Sequence, residues 1–318
     1  MAFKRTLIFV LIIISIYSCD IPLAHKIKLI DIKFNADSAY KFIKEQLAFG
    51  PRVPNTPAHD SCAIFLSQKL RSYNAKVALQ NAIVYRYDSL PLRITNIIAQ
   101  FYPYKKRRIL LFTHWDTRFI ADNEKDSVLR YKPFLGANDG ASGVAVLLEI
   151  ARHLSVDTPK VGVDIIFFDA EDQGEPQFLF IFNKESWSLG ARYWVKHKHF
   201  CNYLYGIDID MVGGKNAKFY KEDFSLFYYG YLLYRIWHIA KLLGYDSLFI
   251  DKNVKSIFDD HFVLNQNGIR SVLIIETHRN NKFYPSYWHT HGDNLQVIDK
   301  KTLKAVGQII LNVIYNQK

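Results

Sequence analysis

The sequence of 318 residues predicts one α/β domain with three layers, in which a mixed, largely parallel sheet lies between two layers of helices. Three observations predict this architecture. Strand-like and helix-like segments alternate through most of the chain, as they do in folds built on parallel strands. Apolar residues make up 49% of the sequence, which is enough for a sizeable core. We find no internal repeat, low-complexity segment or interdomain linker that would divide the chain.

Helix caps and apolar periodicity predict the elements of the first half. A helix over 37–47 begins at Asp37 or Ser38, since either side chain can cap it. A second helix begins at Pro57, because proline is favoured in the first helical turn. Apolar runs then predict, in order, strands over 77–87, 94–102 and 108–113, a loop over 118–135 and a helix over 140–154.

The same patterns predict the second half of the domain. Continuous apolar runs indicate strands that are buried on both faces, and apolar residues at helical spacing indicate helices packed on them. The predicted order is a strand over 161–168, a helix over 189–195, a strand over 204–209, a long aromatic-rich helix over 226–243, a short helix over 260–264, a strand over 271–275 and a closing helix over 301–314.

The first residues have the composition of an export signal. Lys4 and Arg5 precede an apolar run that is too short to span a bilayer, and Cys19 stands at the expected cleavage point. We therefore expect a lipoprotein signal peptide over 1–18, lipid on Cys19 that anchors the protein to a membrane, a tether over 19–35 and the folded domain over 36–318. The expected location is the bacterial cell envelope, facing the periplasm or at the outer membrane. The alternatives are an ordinary signal peptide with a chance cysteine, or an uncleaved anchor.

The formal net charge of +11 would favour anionic membranes or acidic partners. The densest basic cluster, residues 105–108, lies between two predicted strands and is expected to form a solvated hairpin turn. No stacking aromatic residues are organised around it, so we reject nucleic-acid binding. The chain has no CxxC pair, so Asp, Glu and His must hold any zinc, and Cys62 and Cys201 are expected to stay unpaired.

Acidic and histidine residues follow three of the predicted strands. His114 and Asp116 come after the first, Glu171 and Asp172 after the second, and Asp210 after the third. Sites in open α/β sheets form outside the carboxyl ends of the strands, so we expect these side chains on one rim of the sheet. Hard-metal ligands together with one spare acid are typical of the open metal site of a zinc hydrolase or transferase.

A further candidate, Asp139, also has a purely structural interpretation. Asp139 directly precedes a predicted helix, where a lone carboxylate would usually be an N-cap. Glu171 and Asp172 are adjacent and should point apart, so one can bind a metal while the other moves protons.

The sequence contains no phosphate-binding loop of known spacing and no nucleophile elbow, which argues against nucleotide binding and against Ser or Cys catalysis.

Five segments taken together resemble the glutaminyl cyclases, which are zinc-dependent relatives of the di-zinc aminopeptidases of peptidase family M28. The resemblance covers roughly residues 37–315 and is strongest to the bacterial, lipoprotein-type members. It implies the zinc exopeptidase-like form of the predicted α/β fold. The segments that carry it are FGPRVPNT (49–56), THWDTR (113–118), GANDGASG (136–143), FDAED (168–172) and WHT (288–290).

The resemblance implies one catalytic zinc ion, held by Asp139, Asp172 and His289, with Glu171 as the general acid and base. The implied reaction cyclises the N-terminal glutamine of a peptide or protein to pyroglutamate and releases ammonia. The resemblance also implies that Asp210 and Asp259 are catalytic acids near the substrate amine and that Trp288 and Trp187 are aromatic residues of the substrate pocket. His114 matches a histidine that the aminopeptidases use to bind a second metal.

Two positions depart from the pattern of the animal cyclases. Asp172 stands where they have a glutamate ligand, although the shorter side chain can still bind zinc. Leu273 stands roughly where they have a histidine bonded to the acidic pair, which weakens the implied network near the amine. The segment 173–187 is also long.

Two other functions remain open at this point. A di-zinc aminopeptidase of the same fold would use His114, Asp139, Asp172, Asp210 and His289 for two metals. A surface lipoprotein that keeps the fold as a binding module would not need the acid Glu171. The residues that surround the ligands in the sequence favour the cyclase, especially Trp115, Thr117, Arg118 and Trp288.

Overall fold

The computed structural model describes residues 27–197, 202–278 and 283–317. Over this part of the chain the strands are β1 (Lys76–Tyr85), β2 (Pro91–Phe101), β3 (Arg108–His114), β4 (Gly162–Phe168), β5 (Tyr203–Asp210), β6 (Phe219–Glu222), β7 (Phe249–Val254) and β8 (Ser271–Ile275). The helices are α1 (Ala36–Leu47), α2 (Pro57–Ser72), α3 (Ala141–Leu154), α4 (Leu189–His197), α5 (Asp223–Leu242), α6 (Asp260–Gln266) and α7 (Lys300–Tyr315).

The main sheet has the order β1-β2-β4-β3-β5-β8. Strands β4, β3, β5 and β8 are parallel, whereas β1 and β2 are antiparallel to their neighbours, so the sheet is mixed and largely parallel as predicted. Helices α1, α2, α3, α5 and α7 pack on one face, and α4 and α6 pack on the other. The predicted three-layer α/β/α fold is therefore confirmed.

The central strands are continuous apolar runs because helices cover both faces of the sheet. In β3, Ile109 and Leu111 belong to the larger core, whereas Leu110 and Phe112 belong to the core under α4 and α6. Successive side chains of a strand point to opposite faces, so an alternation of apolar and polar residues would have exposed one face here. This arrangement holds the carboxyl ends of β3, β4 and β5 side by side.

The predicted helices are all present among the described residues, but one cap was assigned wrongly. Asn35, rather than Asp37 or Ser38, caps α1, and its side chain accepts hydrogen bonds from the backbone N–H groups of both those residues. The helix therefore begins earlier than predicted. At α2, the Thr56 side chain accepts from the His59 N–H, as a residue before an N1 proline should.

The hairpin predicted at residues 105–108 is wrong, because β4 lies between β2 and β3 in the sheet. Arg108 is buried there rather than solvated, forms an ion pair with Asp164 and donates to the carbonyl groups of Phe101 and Tyr102. Strands β6 and β7, which were not predicted from the sequence, form a small parallel sheet of their own.

The described part of the predicted tether is docked on the domain. The backbone N–H of Phe34 donates to Gln308, and that of Ile30 donates to Asn312, both on α7. The Phe34 ring lies against Gly307, where a Cβ atom would come within 2.2 Å of it. Residues 1–18, Cys19 and Cys201 lie outside the described residues. Within the described ranges, no helix combines the length and the apolar character needed to cross a membrane.

Candidate functional site

A pocket of about 370 Å³ opens beyond the carboxyl ends of β4 and β5. Five carboxylates and one imidazole line it, together with an apolar and aromatic wall. All the predicted catalytic, substrate-binding and zinc-binding residues line this pocket, whereas His114, the position expected for a second metal, is buried and does not line it. The structure therefore brings the predicted residues together on the predicted rim.

Three of these side chains form a cluster of metal-binding type. Asp139, Asp172 and His289 each offer one ligand atom, and these atoms lie within 4.8 Å of one another. His289 Nε2 is 3.3 Å from Asp172 Oδ1 and 3.7 Å from Asp139 Oδ2. Asp139 lies two residues before α3, Asp172 lies in the turn after β4, and His289 belongs to the loop after β8.

One oxygen atom of the cluster lacks a partner that a bound cation could supply. The Oδ2 atom of Asp172 is buried and has no hydrogen-bond partner, which is costly unless a ligand satisfies it. Two carboxylates and one imidazole nitrogen are a donor set that suits zinc in an open, catalytic geometry. The residues present therefore fit a single zinc ion at this position.

His289 is held by a carboxylate that the sequence analysis did not identify. Its Nδ1 lies 2.9 Å from Asp122 Oδ1, so its Nε2 faces Asp139 and Asp172. Burial alone would lower the pKa of His289, but the charges of Asp172 and Asp122 outweigh burial and raise that pKa to about 9. A carboxylate behind a histidine is the usual device for orienting a metal ligand.

Arg118 joins this supporting carboxylate to one of the candidate ligands. The guanidinium is fully buried, donates to both oxygens of Asp122 at 3.0 and 2.8 Å, and donates to Asp172 Oδ1 at 3.2 Å. Burial would raise the pKa of Asp122, but the charges of His289 and Arg118 hold it well below its usual range. Asp122 is therefore ionised across the physiological range.

Two further acids fix the backbone of the site. Asp116 accepts from the backbone N–H groups of Glu171 and Asp172 at 3.0 and 3.3 Å, which shapes the turn after β4. Asp293 accepts from the N–H groups of Asn138 and Asp139 at 2.8 and 3.1 Å. The adjacent carboxylates Glu171 and Asp172 point apart, as predicted, since only Asp172 belongs to the metal-type cluster.

Some of the missed residues carried a weak signal in the sequence. Asp122 lies four positions after Arg118, and Asp293 lies four positions after His289 in the same aromatic loop. Neither spacing identifies a contact in a loop, because loops have no fixed period. Only the fold brings Asp122 to His289, which is distant in the chain.

A second group of the same type adjoins the first and shares Asp139 with it. His114 Nε2 lies 3.1 Å from Asp139 Oδ1 and 3.1 Å from Asp210 Oδ1. His114 approaches this closely because residue 140 is glycine, where a Cβ would lie 2.7 Å from the His114 ring. The Nε2 atom of His114 thus contacts two carboxylates, whereas its Nδ1 atom is buried and has no hydrogen-bond partner.

Glu171 projects into the pocket beside the metal-type cluster. The Ser188 hydroxyl donates to Glu171 Oε1 at 3.3 Å, and the Ser188 N–H donates to the Glu171 carbonyl at 2.9 Å. Burial, reinforced by the charge of Asp259, raises the pKa of Glu171 well above its ordinary value. Perturbation of this kind is common in groups that exchange protons during catalysis.

Asp210 and Asp259 are the other two carboxylates that line the pocket. Asp210 is the last residue of β5, and burial raises its pKa to about 7 against the opposing charge of His114. Asp259 caps α6 with its side chain, and burial also raises its pKa. Leu273 does not reach this pair, because it is fully buried in β8 in an apolar cluster with Met211 and Ile257.

Aromatic side chains form the remaining walls. Trp288 stacks on His289 with ring centroids 3.8 Å apart and lies 4.1 Å from Tyr284. Trp187 lies under the Arg118 guanidinium at 4.8 Å, and its Nε1 has no hydrogen-bond partner. The pocket thus combines acids, a metal-type cluster and flat apolar surfaces. This combination suits an uncharged side chain that ends in a small polar group.

Comparison with known proteins agrees with this geometry. Residues 96–314 match the model of the family described as peptidase family M28. A glutaminyl-peptide cyclotransferase of Drosophila melanogaster is 26% identical over 289 residues, covering 82% of this chain and 75% of its own. A glutaminyl cyclase of Bacteroides thetaiotaomicron, solved with N-acetylhistamine bound, superposes with a TM-score of 0.88 at 47% identity, covering 90% of this chain and 99% of that one. A structure described as a leucine aminopeptidase precursor from the same bacterium gives a TM-score of 0.88 at 46% identity, covering 92% and 100%.

Proposed function

The chain belongs to peptidase family M28, and from this premise we propose that it is a zinc-dependent glutaminyl-peptide cyclotransferase. It converts the N-terminal glutamine of peptides or proteins to pyroglutamate and releases ammonia. The observation that carries the proposal is a three-donor cluster with an unsatisfied oxygen, on Asp172, next to the acid Glu171, which does not belong to the cluster. The 47% identity to a bacterial glutaminyl cyclase supports the same reaction.

In this proposal Asp139, Asp172 and His289 hold one zinc ion. The ion would supply Lewis acidity at the side-chain amide carbonyl of the substrate glutamine. Asp122 and Arg118 keep His289 and Asp172 in position, so the ligands need little rearrangement on binding.

Glu171 moves the proton that the cyclisation requires. The free α-amine forms a bond to the side-chain amide carbon while the bond from that carbon to the amide nitrogen breaks. Glu171 takes a proton from the attacking amine and returns it to the departing nitrogen, which leaves as ammonia. Asp210 and Asp259 are placed to accept hydrogen bonds from the amine, and Trp288 and Trp187 confine the glutamine side chain, which keeps the reacting groups together.

One observation keeps an aminopeptidase of the same family as a second candidate. His114 and Asp210 form a second donor group with the shared Asp139, which is the arrangement that a two-metal site needs. Similarity favours the cyclase, because the match to the Drosophila glutaminyl-peptide cyclotransferase covers 82% of this chain and a bacterial glutaminyl cyclase is 47% identical to it.

The deciding experiment is mass spectrometry of a short peptide that begins with glutamine, incubated with the zinc-loaded protein and with a chelated control. Chelator-sensitive loss of one ammonia at unchanged peptide length supports the cyclase. Loss of the whole first residue assigns the protein to the aminopeptidases, and an unchanged peptide favours a binding module without catalytic activity.

We also propose that the protein is an exported lipoprotein of the bacterial envelope, attached to a membrane by lipid on Cys19. The sequence pattern at residues 1–19 supports this, with its basic start, short apolar run and terminal cysteine. Mass spectrometry of the N-terminal peptide should show Cys19 carrying acyl groups, and Cys19→Ala should release the protein from the membrane fraction. An unmodified Cys19 in the mature protein would contradict the anchor.

A further inference from the structure

The segment between β4 and α4 exposes an unusual amount of apolar surface. Leu179, Phe180, Ile181 and Phe182 are consecutive, and their exposed fractions are 43%, 96%, 64% and 59%. Scattered apolar residues are normal on a protein surface, but a contiguous group of this size usually marks a binding surface. These residues belong to the long segment 173–187.

The exposed segment continues into the pocket through a chain of aromatic rings. Phe182 lies 5.3 Å from Phe258, which lines the pocket and is itself 41% exposed. Phe258 then contacts Phe224 at 5.4 Å and Phe262 at 4.9 Å, measured between ring centroids. We call Phe182, Phe258, Phe224 and Phe262 the aromatic strip.

The strip is built on anchored backbone. Phe258 directly precedes Asp259, the cap of α6, and Phe224 lies in the first turn of α5, which Glu222 caps. These elements hold three of the four rings in fixed positions.

The exposed segment itself is tied down on both sides. The Gln177 N–H donates to Asp122 at 2.9 Å, and the Ser186 hydroxyl donates to Glu175 at 2.7 Å. Arg192 donates to the Lys184 carbonyl at 2.6 Å and to Glu185 at 2.6 Å. Because its ends are fixed, Phe182 presents a surface that is formed before any ligand arrives.

We propose that the aromatic strip binds the residues that follow the N-terminal glutamine, and that it selects substrates with apolar or aromatic side chains at positions two to four. This inference rests on the proposed function. With glutamine in the pocket, the rest of the peptide must leave through the mouth, and Phe258 forms part of that mouth. An extended peptide advances about 3.3 Å per residue, so the 5.3 Å between the Phe258 and Phe182 rings corresponds to between one and two residues of the peptide.

Continuity with the pocket favours the substrate over other occupants. Phe258 belongs to the pocket wall and to the strip at once, so a membrane or a second copy covering the strip would also lie across the mouth. A substrate chain covers the strip only during turnover and therefore leaves the site accessible to the next peptide.

The test compares glutamine peptides that differ only at positions two to four, using the zinc-loaded mature protein. The peptides carry Phe, Leu, Lys, Glu or Gly at one position in an otherwise glycine background, and release of ammonia gives kcat/KM. We expect Phe and Leu to exceed Gly by about tenfold at one or two positions, since half-burying such a side chain has roughly that effect. In Phe182→Ser the ratio of Phe to Gly should fall to about twofold.

A matched control separates the strip from general loss of apolar surface. Tyr104 is 75% exposed and lies between β2 and β3, at the opposite end of the strands from the pocket. Tyr104→Ser should leave the Phe-to-Gly ratio and both absolute rates unchanged. Equal kcat/KM for all side chains in the wild type, or a ratio that survives both Phe182→Ser and Phe258→Ser, would overturn the proposal.

A binding measurement distinguishes failure of the strip from failure of the proposed reaction. Calorimetry with Glu171→Gln and the same peptides should show the tenfold preference for Phe without turnover. If no peptide is cyclised but the preference in affinity persists, the proposed role of the strip is supported and the proposed reaction is refuted. Cyclisation of the peptides without any preference in affinity supports the reaction and refutes the role of the strip. Sedimentation with anionic vesicles that is lost in Phe182→Ser, together with equal peptide rates, would assign the surface to a membrane instead.

Discussion

The carboxylate of Asp122 offers the sharpest test of the metal centre, because it supports the site without touching the pocket. In Asp122→Asn the new side chain keeps an oxygen that can accept from His289 Nδ1. Its amide group, however, would face two donors, the Arg118 guanidinium at 2.8 Å and the Gln177 N–H at 2.9 Å. The substitution therefore removes one negative charge and places the N–H donors of the new amide group opposite the donors of Arg118 and Gln177 in a buried position.

The expected effects differ for metal affinity and for stability. Loss of a carboxylate behind a metal-binding histidine typically weakens metal binding about 10- to 100-fold, which is about 1.4–2.7 kcal/mol. Removing one partner of a buried ion pair costs about 3–5 kcal/mol of folding free energy. We expect zinc affinity to fall by the first amount, whereas kcat per bound zinc should change far less, because Glu171 and the three ligands remain.

Zinc affinity is measured by competition with a chromophoric chelator, and stability by urea unfolding of the zinc-free protein. Glu124→Gln is the matched control: Glu124 lies in the same loop and accepts from the backbone of His291 rather than from the His289 ring. The control should keep zinc affinity within about twofold of the wild type. If Asp122→Asn lost stability as expected but bound zinc as tightly as the wild type, the assignment of His289 as a ligand oriented by Asp122 would be wrong.

Three further predictions follow from single contacts. Glu171→Gln should lower kcat about 100- to 10,000-fold while zinc content stays normal, and near wild-type turnover would remove Glu171 from the mechanism. Glu222 caps α5 and lies 3.0 Å from His261 Nε2; burial would raise its pKa, but His261 and the backbone N–H donors hold it below 4.5. This contribution is complete above pH 4.5 and is lost as the pH falls through the lowered pKa, so Glu222→Gln should cost about 1–3 kcal/mol in urea unfolding at pH 7 and progressively less as the pH falls below 4.5; a cost that does not change with pH would refute it. Burial raises the pKa of Cys62 to about 12, so peptide mapping should show no alkylation of Cys62 in the folded protein at pH 8 and full alkylation in urea; rapid alkylation of the native protein would show that the helix packing is wrong.

The sequence was a good guide wherever a physical signal is local. Continuous apolar runs identified β3, β4 and β5, and the polar residues that follow them were correctly expected on one rim. The start of α2 was predicted from Pro57, and the helix begins at that residue. Such signals are short-range, because caps and periodicity act within one or two turns or along a single strand.

What the sequence could not supply are pairings between distant segments. Strand β6 has only four residues, and no alternating pattern in them indicates its partner β7. Nothing local shows that β4 separates β2 from β3, so the basic segment before Arg108 was mistaken for a hairpin turn. In the site, Asp122 joins His289 only because two loops that are far apart in the chain meet over the same rim.

The chain position of His289 has a consequence for the order in which the protein is completed during synthesis. Asp139 and Asp172 are both translated before β5, whereas His289 and Asp293, which fixes the Asp139 backbone, follow the last strand of the sheet. A nascent chain that ends before residue 289 therefore has two of the three metal donors and lacks the imidazole. Since domains are made from the N-terminus onwards, the proposed zinc site would be completed only at the last stage of synthesis, after the whole sheet has been translated.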